Sequence, residues 1–289
     1  MRDEFTHAMW LDESTRARAQ EKLAQLEANV AYPDQWPINA RAALPSTSSF
    51  LARLLTFSQA ASARDARKIG GTVPRNEFPL SPDTTNAVYS PQLNSITIPV
   101  AILQDPFYRQ DRPPAFDLGA LGSVIGHELT HGFDDQGRHF DGSGKLQNWW
   151  SDDATAEFER RTQCLVDQYS SYEPVPGVHL DGALTLGENV ADLGGLELAL
   201  AAFEQAPSKP ARGFSAEQQF FLAYAQLHCA SQSPEAATLS AATAPNSPDA
   251  FRVNAWCVTC PSSRAHSLAR PAPRWRHRTA ARFGDERID

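Results

Sequence analysis

The chain has 289 residues, of which 42% are hydrophobic, and carries a formal net charge of -8 with a sequence pI near 5.5. This length allows a substantial core in one large domain or two smaller ones. The acidic balance argues against nucleic acid as a partner. No apolar run reaches the roughly 18 residues of a membrane span. The first residues lack a secretion signal, so the chain as written is expected to stay inside the cell.

The first half of the chain predicts helices followed by a hairpin. Residues 12–30 read as an amphipathic helix capped by Ser14 or Thr15, and residues 41–70 read as further helix interrupted by a turn at 45–49. The stretch "NAVYSPQLNSITIP", residues 86–99, alternates β-branched residues around a central turn. It predicts two short strands and the one clear β signal of the chain.

The second half predicts a helical protein with one abrupt change at its end. Apolar spacing favours helices over 118–133, from Asp152 with Ser151 as its cap, over 186–205 and over 215–231. Residues 256–289 hold seven arginines and no lysine, unlike the chain before them. Four scattered cysteines are too few for a disulfide framework. We expect a mainly α fold with a small β-hairpin.

The segment "GSVIGHELTHGFDDQG" carries the strongest chemical motif. His127 and His131 stand four residues apart, so a helix directs both imidazoles to the same side, with Glu128 beside them. Two such histidines suit a zinc ion, and the glutamate can act as general base on a metal-bound water. The alternative is an ordinary helix that happens to have a His/Glu face.

A zinc site needs a third protein ligand, and a downstream carboxylate offers one. The spacing HExxHxxGxxH fails, because residue 134 is Asp and residue 137 is Gly. The segment "LTLGENVADLGG" provides Glu188, followed one helical turn later by Asp192, which can accept the second N–H of a ligating histidine. The alternative role for Glu188 is a capping box with Thr185.

Five blocks in order resemble the M13 zinc metallopeptidases, the neprilysin and endothelin-converting enzyme group, over about residues 10–254. They are "NAVYSPQLNSITIPVAILQDPFY", "GSVIGHELTHGFDDQGRHFDGSGKLQNWW", "LTLGENVADLGG", "FFLAYAQLHC" and "RVN". The resemblance implies a thermolysin-like, largely helical catalytic lobe spanning residues 1–255, with one Zn²⁺. It implies His127, His131 and Glu188 as zinc ligands, Glu128 as the base and Asp192 as the residue that orients a ligating histidine.

The resemblance also implies how substrate binds. Asn86 and Ala87 match a strand that pairs with the substrate backbone, and Arg252 matches an arginine that holds substrate carbonyl groups. The expected activity is zinc-dependent endopeptidase cleavage of oligopeptides. A catalytically silent zinc-binding fragment is the alternative. Four other histidines, His7, His139, His179 and His228, match no role and are expected at the surface or in the core.

Several departures from the family pattern carry expectations of their own. Family members have a large helical region before the point where this chain begins, so we expect an exposed apolar face, with either poor solubility or a partner that covers this face. Asn246 stands where the family has an oxyanion-stabilising histidine, a loss that typically costs about 10²–10³ in rate. The arginine-rich residues 256–289 are expected to be a disordered tail or the product of a change of reading frame near Asn254, and the alternative is a genuine basic tail that binds nucleic acid or a membrane. Cys164 and Cys229 would then be free. Relatives face the periplasm or the cell exterior.

Overall fold

Helices dominate the described chain. The computed structural model describes residues 1–34, 36, 49–71, 75, 77–206, 208–211 and 213–258. The strands are β1 (Glu27–Ala31), β2 (Val88–Ser90) and β3 (Ser95–Pro99). The helices are α1 (Arg2–His7), α2 (Glu13–Ala24), α3 (Phe50–Ala66), α4 (Pro114–Asp117), α5 (Ser123–His131), α6 (Asp152–Ser170), α7 (Leu186–Gln205), α8 (Ala216–Leu227), α9 (Pro234–Thr243) and α10 (Asp249–Val258). A π-helical segment, Leu118–Gly122, leads into α5. The mainly α prediction is confirmed.

The first long helix begins and ends earlier than its sequence predicted. Its cap is Asp12, whose carboxylate accepts the backbone N–H of Thr15 at 2.9 Å, and not Ser14 or Thr15. The helix ends at Ala24, and residues 27–31 form β1. The prediction of helix up to Val30 was wrong, because this stretch pairs with a strand far along the chain.

The small sheet has three strands in the order β1-β3-β2. The antiparallel β2–β3 hairpin is confirmed, and β1 adds to it in parallel. The central strand β3 is buried along its whole length. Strand β2 therefore lies at an edge, and Tyr89 in its middle is buried against the rest of the protein.

Helices α5 and α7 cross with almost no side chain between them. A Cβ added to Gly126 would lie 2.5 Å from the carbonyl oxygen of Gly195, and one added to Gly195 would lie 2.4 Å from the backbone nitrogen of His127. Only glycine permits such an approach of two backbones. The crossing fixes the helix with the two histidines against the helix that carries Glu188.

Lys22 fastens α2 to the chain that follows α5. Its residue surface is 2% exposed, and its ammonium group donates to the carbonyl oxygens of Gly132 at 2.6 Å, Gly137 at 2.8 Å and Phe140 at 2.7 Å. The ring of Phe133 lies 5.3 Å from its nitrogen. Burial lowers the pKa of Lys22 to about 7, although nearby carboxylates oppose this shift.

Helix α3 is an apolar helix without a buried residue. Phe50 is 81% exposed, and Leu51, Leu54 and Leu55 are each about half exposed or more. Ser49 caps the helix through the N–H of Ala52. Most of the predicted turn at 45–49 lies outside the described residues. Helix α3 therefore exposes several large apolar side chains, and whether another region covers them stays a prediction.

The structure tests the predictions for the C-terminal part of the chain only in part. Helix α10 continues to Val258, and residues 259–289, with most of the predicted arginine-rich tail, lie outside the described residues. Cys229 is free, as expected, but Cys164 is disulfide-bonded, so that prediction was wrong. Within the described chain, no helix combines the length and apolar character that crossing a bilayer requires.

Candidate metal centre and cleft

Helix α5 presents two imidazoles to one point. His127 and His131 lie on successive turns, and their Nε2 atoms are 2.9 Å apart. Each Nδ1–H donates to a carboxylate: His127 to Asp192 Oδ1 at 2.9 Å and His131 to Asp134 Oδ2 at 2.6 Å. Because both Nδ1 atoms are bound to carboxylates, the two Nε2 atoms face each other, and a shared proton or a metal cation between them offsets the repulsion of their lone pairs.

Glu188, in the first turn of α7, faces the same point. Its Oε2 lies 3.3 Å from Nε2 of His127, and its Oε1 lies 3.7 Å from Nε2 of His131. The donor atoms of the three residues all lie within 4.8 Å of one another. Thr185 makes no side-chain cap bond to α7, so the capping-box alternative is not realised. Among the described residues, this group can hold one metal ion.

The chemistry of the donor set and its charges fit a divalent zinc ion. Two imidazoles and one carboxylate form a three-ligand set that leaves a fourth position open. Burial lowers the pKa of His127, but its bonds to Asp192 and Glu188 outweigh burial and raise the pKa to about 10. Burial likewise raises the pKa of Glu188, but the two histidines reverse the effect and lower it. The site therefore attracts positive charge.

Glu128 lies next to the donor atoms in a buried position. The residue is 6% exposed, and it accepts a hydrogen bond from the backbone of Tyr89 on β2. Burial raises its pKa, while the neighbouring histidines pull it down, and the net pKa is raised. A carboxylate with a raised pKa is a better proton acceptor near neutral pH than an ordinary surface glutamate.

Asp192 joins the metal centre to Arg252. Its carboxylate accepts from His127 and also from Arg252, through Nε at 2.6 Å and Nη2 at 2.5 Å. Burial opposes the charge of Asp192, but Arg252 and His127 outweigh it and hold the pKa of Asp192 below its usual range. The sequence predicted the contact with His127 and not the contact with Arg252.

Asp134 is a functional residue that sequence reasoning missed. Its Oδ2 accepts from His131, and its Oδ1 accepts the backbone N–H groups of Gln136 at 2.9 Å and Gly137 at 2.6 Å. The residue follows His131 by three positions, just beyond the end of α5. That carboxylate after the second histidine was the available signal.

A cleft of about 910 Å³ opens beside these groups. It is lined by the two histidines, Glu128 and Glu188, and also by Asn86 and Ala87, which directly precede edge strand β2. Arg252 lines the same cleft, with its guanidinium bound to Asp192. The structure thus brings every predicted site residue to one cleft.

Two further residues of the cleft concern predictions made above. The side-chain amide of Asn246 donates to Glu188 Oε2 at 2.7 Å. His228 also lines the cleft, where its Nδ1 lies 3.3 Å from Asp249 Oδ1. Burial, together with the charge of Arg252, lowers the pKa of His228. His228 is therefore a wall residue of the cleft.

Comparisons with known proteins agree with this geometry. Residues 86–264 match Peptidase family M13. Endothelin-converting enzyme 1 of Homo sapiens is 39% identical over 260 residues, which cover 84% of this chain and 33% of that protein. Neprilysin-11 of Caenorhabditis elegans is 37% identical over 263 residues, which cover 84% of this chain and 31% of that protein. The chain thus spans about a third of the length of these curated relatives.

Solved structures share the fold over nearly the whole chain. Mycobacterium tuberculosis zinc metalloprotease ZMP1, in complex with inhibitor, has a TM-score of 0.82 and 35% identity, covering 95% of this chain and 44% of that one. PEPO from Lactobacillus rhamnosis HN001 has a TM-score of 0.80 and 29% identity, and the match covers 93% of this chain and 43% of that one. The resemblance stated from the sequence is confirmed. The chain belongs to peptidase family M13.

Proposed function

We propose that this chain is the catalytic part of a zinc-dependent metalloendopeptidase that cleaves oligopeptides. The observation that carries the proposal is the convergence of His127, His131 and Glu188 on one point, with buried Glu128 beside it and a cleft open in front. Family membership supports the same reaction class. In this proposal the first three residues are the zinc ligands and Glu128 is the general base.

The chain's own residues supply the proton transfers and the orientation. The site of His127, His131 and Glu188 would hold a zinc ion, which would supply Lewis acidity to the scissile carbonyl and lower the pKa of the attacking water. Glu128 takes a proton from that water and later delivers it to the leaving amine, a task that its raised pKa suits. Asp192 and Asp134 hold the two imidazoles so that their Nε2 atoms point to the place that a metal ion would occupy.

An extended peptide is the substrate that fits the cleft. Strand β2 is a sheet edge, so the backbone beside Asn86 and Ala87 can pair with a peptide strand. Arg252 lines the same cleft, where its N–H groups not engaged by Asp192 can donate to substrate carbonyls. Substrate therefore binds through its backbone, and cleft side chains select among sequences.

One experiment separates an active enzyme from a silent zinc-binding fragment. The full chain is assayed for bound zinc and for cleavage of a fluorogenic peptide, alongside Glu128→Gln and the matched control Glu217→Gln, an exposed residue of α8. We expect zinc in all three proteins and turnover in all but Glu128→Gln. If the wild-type chain binds zinc but shows no peptide cleavage that is lost in Glu128→Gln, the chain is the silent fragment. If the wild-type chain binds no zinc, both functions are refuted.

The full-length form is proposed to contain a region that covers α3 and to act outside the cytoplasm. Helix α3 has no buried residue, and the relatives are about three times as long as the matched part. The disulfide of Cys164 agrees with an oxidising compartment such as the periplasm or the cell exterior. Co-expression of this chain with the preceding region of a longer relative tests the cover: protection of α3 from proteolysis is expected.

A further inference from the structure

We propose that Asn246 is a positioning residue for Glu188, which it orients for metal binding. The inference rests on the proposed function, because it assigns Glu188 to zinc. It departs from the family pattern, in which the histidine at this place acts on the oxyanion. The amide of Asn246 donates to Glu188 Oε2 at 2.7 Å, and this bond is half-buried at the cleft wall.

With Asn246, each of the three proposed ligands has one hydrogen-bond partner outside the centre, an acceptor for each imidazole and a donor for the carboxylate. The two imidazoles have an N–H to donate, and each meets a carboxylate, Asp192 or Asp134. A carboxylate ligand has no hydrogen to donate, so its partner must be a donor. The amide of Asn246 is that donor. Outer partners of this kind fix the orientation of a ligand and support its affinity for the metal.

The bond distinguishes the two oxygens of Glu188. Oε2 faces both Asn246 and His127, whereas Oε1 faces His131. The amide therefore opposes rotation of the carboxylate and leaves lone pairs on both oxygens free for an ion. Asn246 is also neutral, so it adds a donor without adding positive charge beside a divalent cation. A protonated histidine here would repel that cation.

The loop that carries Asn246 is anchored to the same helix. The hydroxyl of the next residue, Ser247, donates to Asn189 Oδ1 at 2.8 Å, and Asn189 in turn donates to Thr185 at 2.9 Å. Ser247 is 3% exposed and Asn189 is 1% exposed. Two consecutive loop residues thus contact two consecutive residues of α7. This anchoring holds the amide at Glu188 before any metal binds.

Zinc affinity of the full chain, measured by chelator competition, tests the assignment without reference to activity. The variants are Asn246→Ala, Asn246→His and Ser247→Ala. We expect Asn246→Ala to weaken zinc binding about 10–100-fold, as for other outer partners of metal ligands. Asn246→His retains an N–H donor and, when its imidazole is neutral, should recover part of the affinity. Ser247→Ala removes one anchor of the loop but keeps the Asn246 amide as a donor, and should therefore lose less zinc affinity than Asn246→Ala.

The outcomes separate this inference from the proposed function. Wild-type zinc affinity in Asn246→Ala, or an equal loss in Ser247→Ala, overturns the positioning role and leaves the peptidase proposal intact. A wild-type chain that binds no zinc overturns both. Far-UV circular dichroism of each metal-free variant identifies loss of folding. If Asn246→Ala fails to fold, Asn246→Ser provides the same comparison, with a shorter donor expected to give an intermediate affinity.

Discussion

Replacing Asp192 by asparagine tests how charge holds the metal centre together. The carboxylate is 7% exposed and accepts three donor groups, one from His127 and two from Arg252. Asparagine keeps the shape but presents an N–H₂ group to these donors and removes the charge that balances Arg252. Loss of one partner from a buried ion pair costs roughly 3–5 kcal/mol. Because the Arg252 side chain keeps 17% exposure, we expect about 3 kcal/mol, the low end of that range.

The same change should weaken zinc binding about 10–100-fold, since His127 loses the acceptor that orients it. Asp134→Asn is the matched comparison: it removes the acceptor of His131 without leaving an arginine unbalanced. We therefore expect similar zinc losses in the two variants, but a larger loss of unfolding free energy in Asp192→Asn. Urea unfolding of the metal-free proteins and chelator competition measure the two effects. Equal unfolding free energies for Asp192→Asn and the wild type would refute the reasoning.

Three other predictions follow from separate parts of the molecule. Glu128→Gln should lower peptide turnover by about 10²–10⁴-fold while zinc content stays unchanged; a variant with wild-type turnover would exclude Glu128 as the base. Lys22→Met should lower the free energy of unfolding by roughly 3 kcal/mol, about 1 kcal/mol for each of the three carbonyl groups left without a donor. The control is Lys145→Met, at an exposed position. Equal urea midpoints for Lys22→Met and the wild type would contradict this prediction. Hydrogen bonds from Ser151, and then from Thr15, hold the pKa of Asp12 below its usual range. Its stabilising contribution is therefore complete above the unfolded-state pKa near ~4 and is lost as pH falls through the lower folded value. Asp12→Asn should flatten the fall in Tm between roughly pH 5 and pH 2, and an unchanged acid limb in a thermal scan would count against it.

The chemistry of the centre could be predicted where it depends on helix geometry alone. The spacing of His127 and His131, and that of Glu188 and Asp192, follows from residues one turn apart on the same helix. The helices over both motifs were predicted for the same reason, and they formed. A local pattern is sufficient when both partners lie on one regular element.

Features that depend on distant partners could not be predicted in this way. Strand β1 forms because β3 lies beside it, about 68 residues further along, although its own sequence continues a helical pattern. Asp134 acts from a turn after α5, where no periodicity places a side chain. The bond from Asn246 to Glu188 joins a loop to a helix 58 positions earlier. In each case tertiary packing supplies information that a local pattern does not contain.

The crossing of α5 and α7 makes the gap between the paired imidazoles and Glu188 a property of the main chain. Gly126 and Gly195 bring the two backbones into contact, so no side chain between them can adjust by changing rotamer. A single methyl group at either glycine would have to separate the helices themselves. Rotamer changes can absorb substitutions elsewhere in the surrounding core, whereas the size of cation that the centre accepts is tied to two positions without side chains.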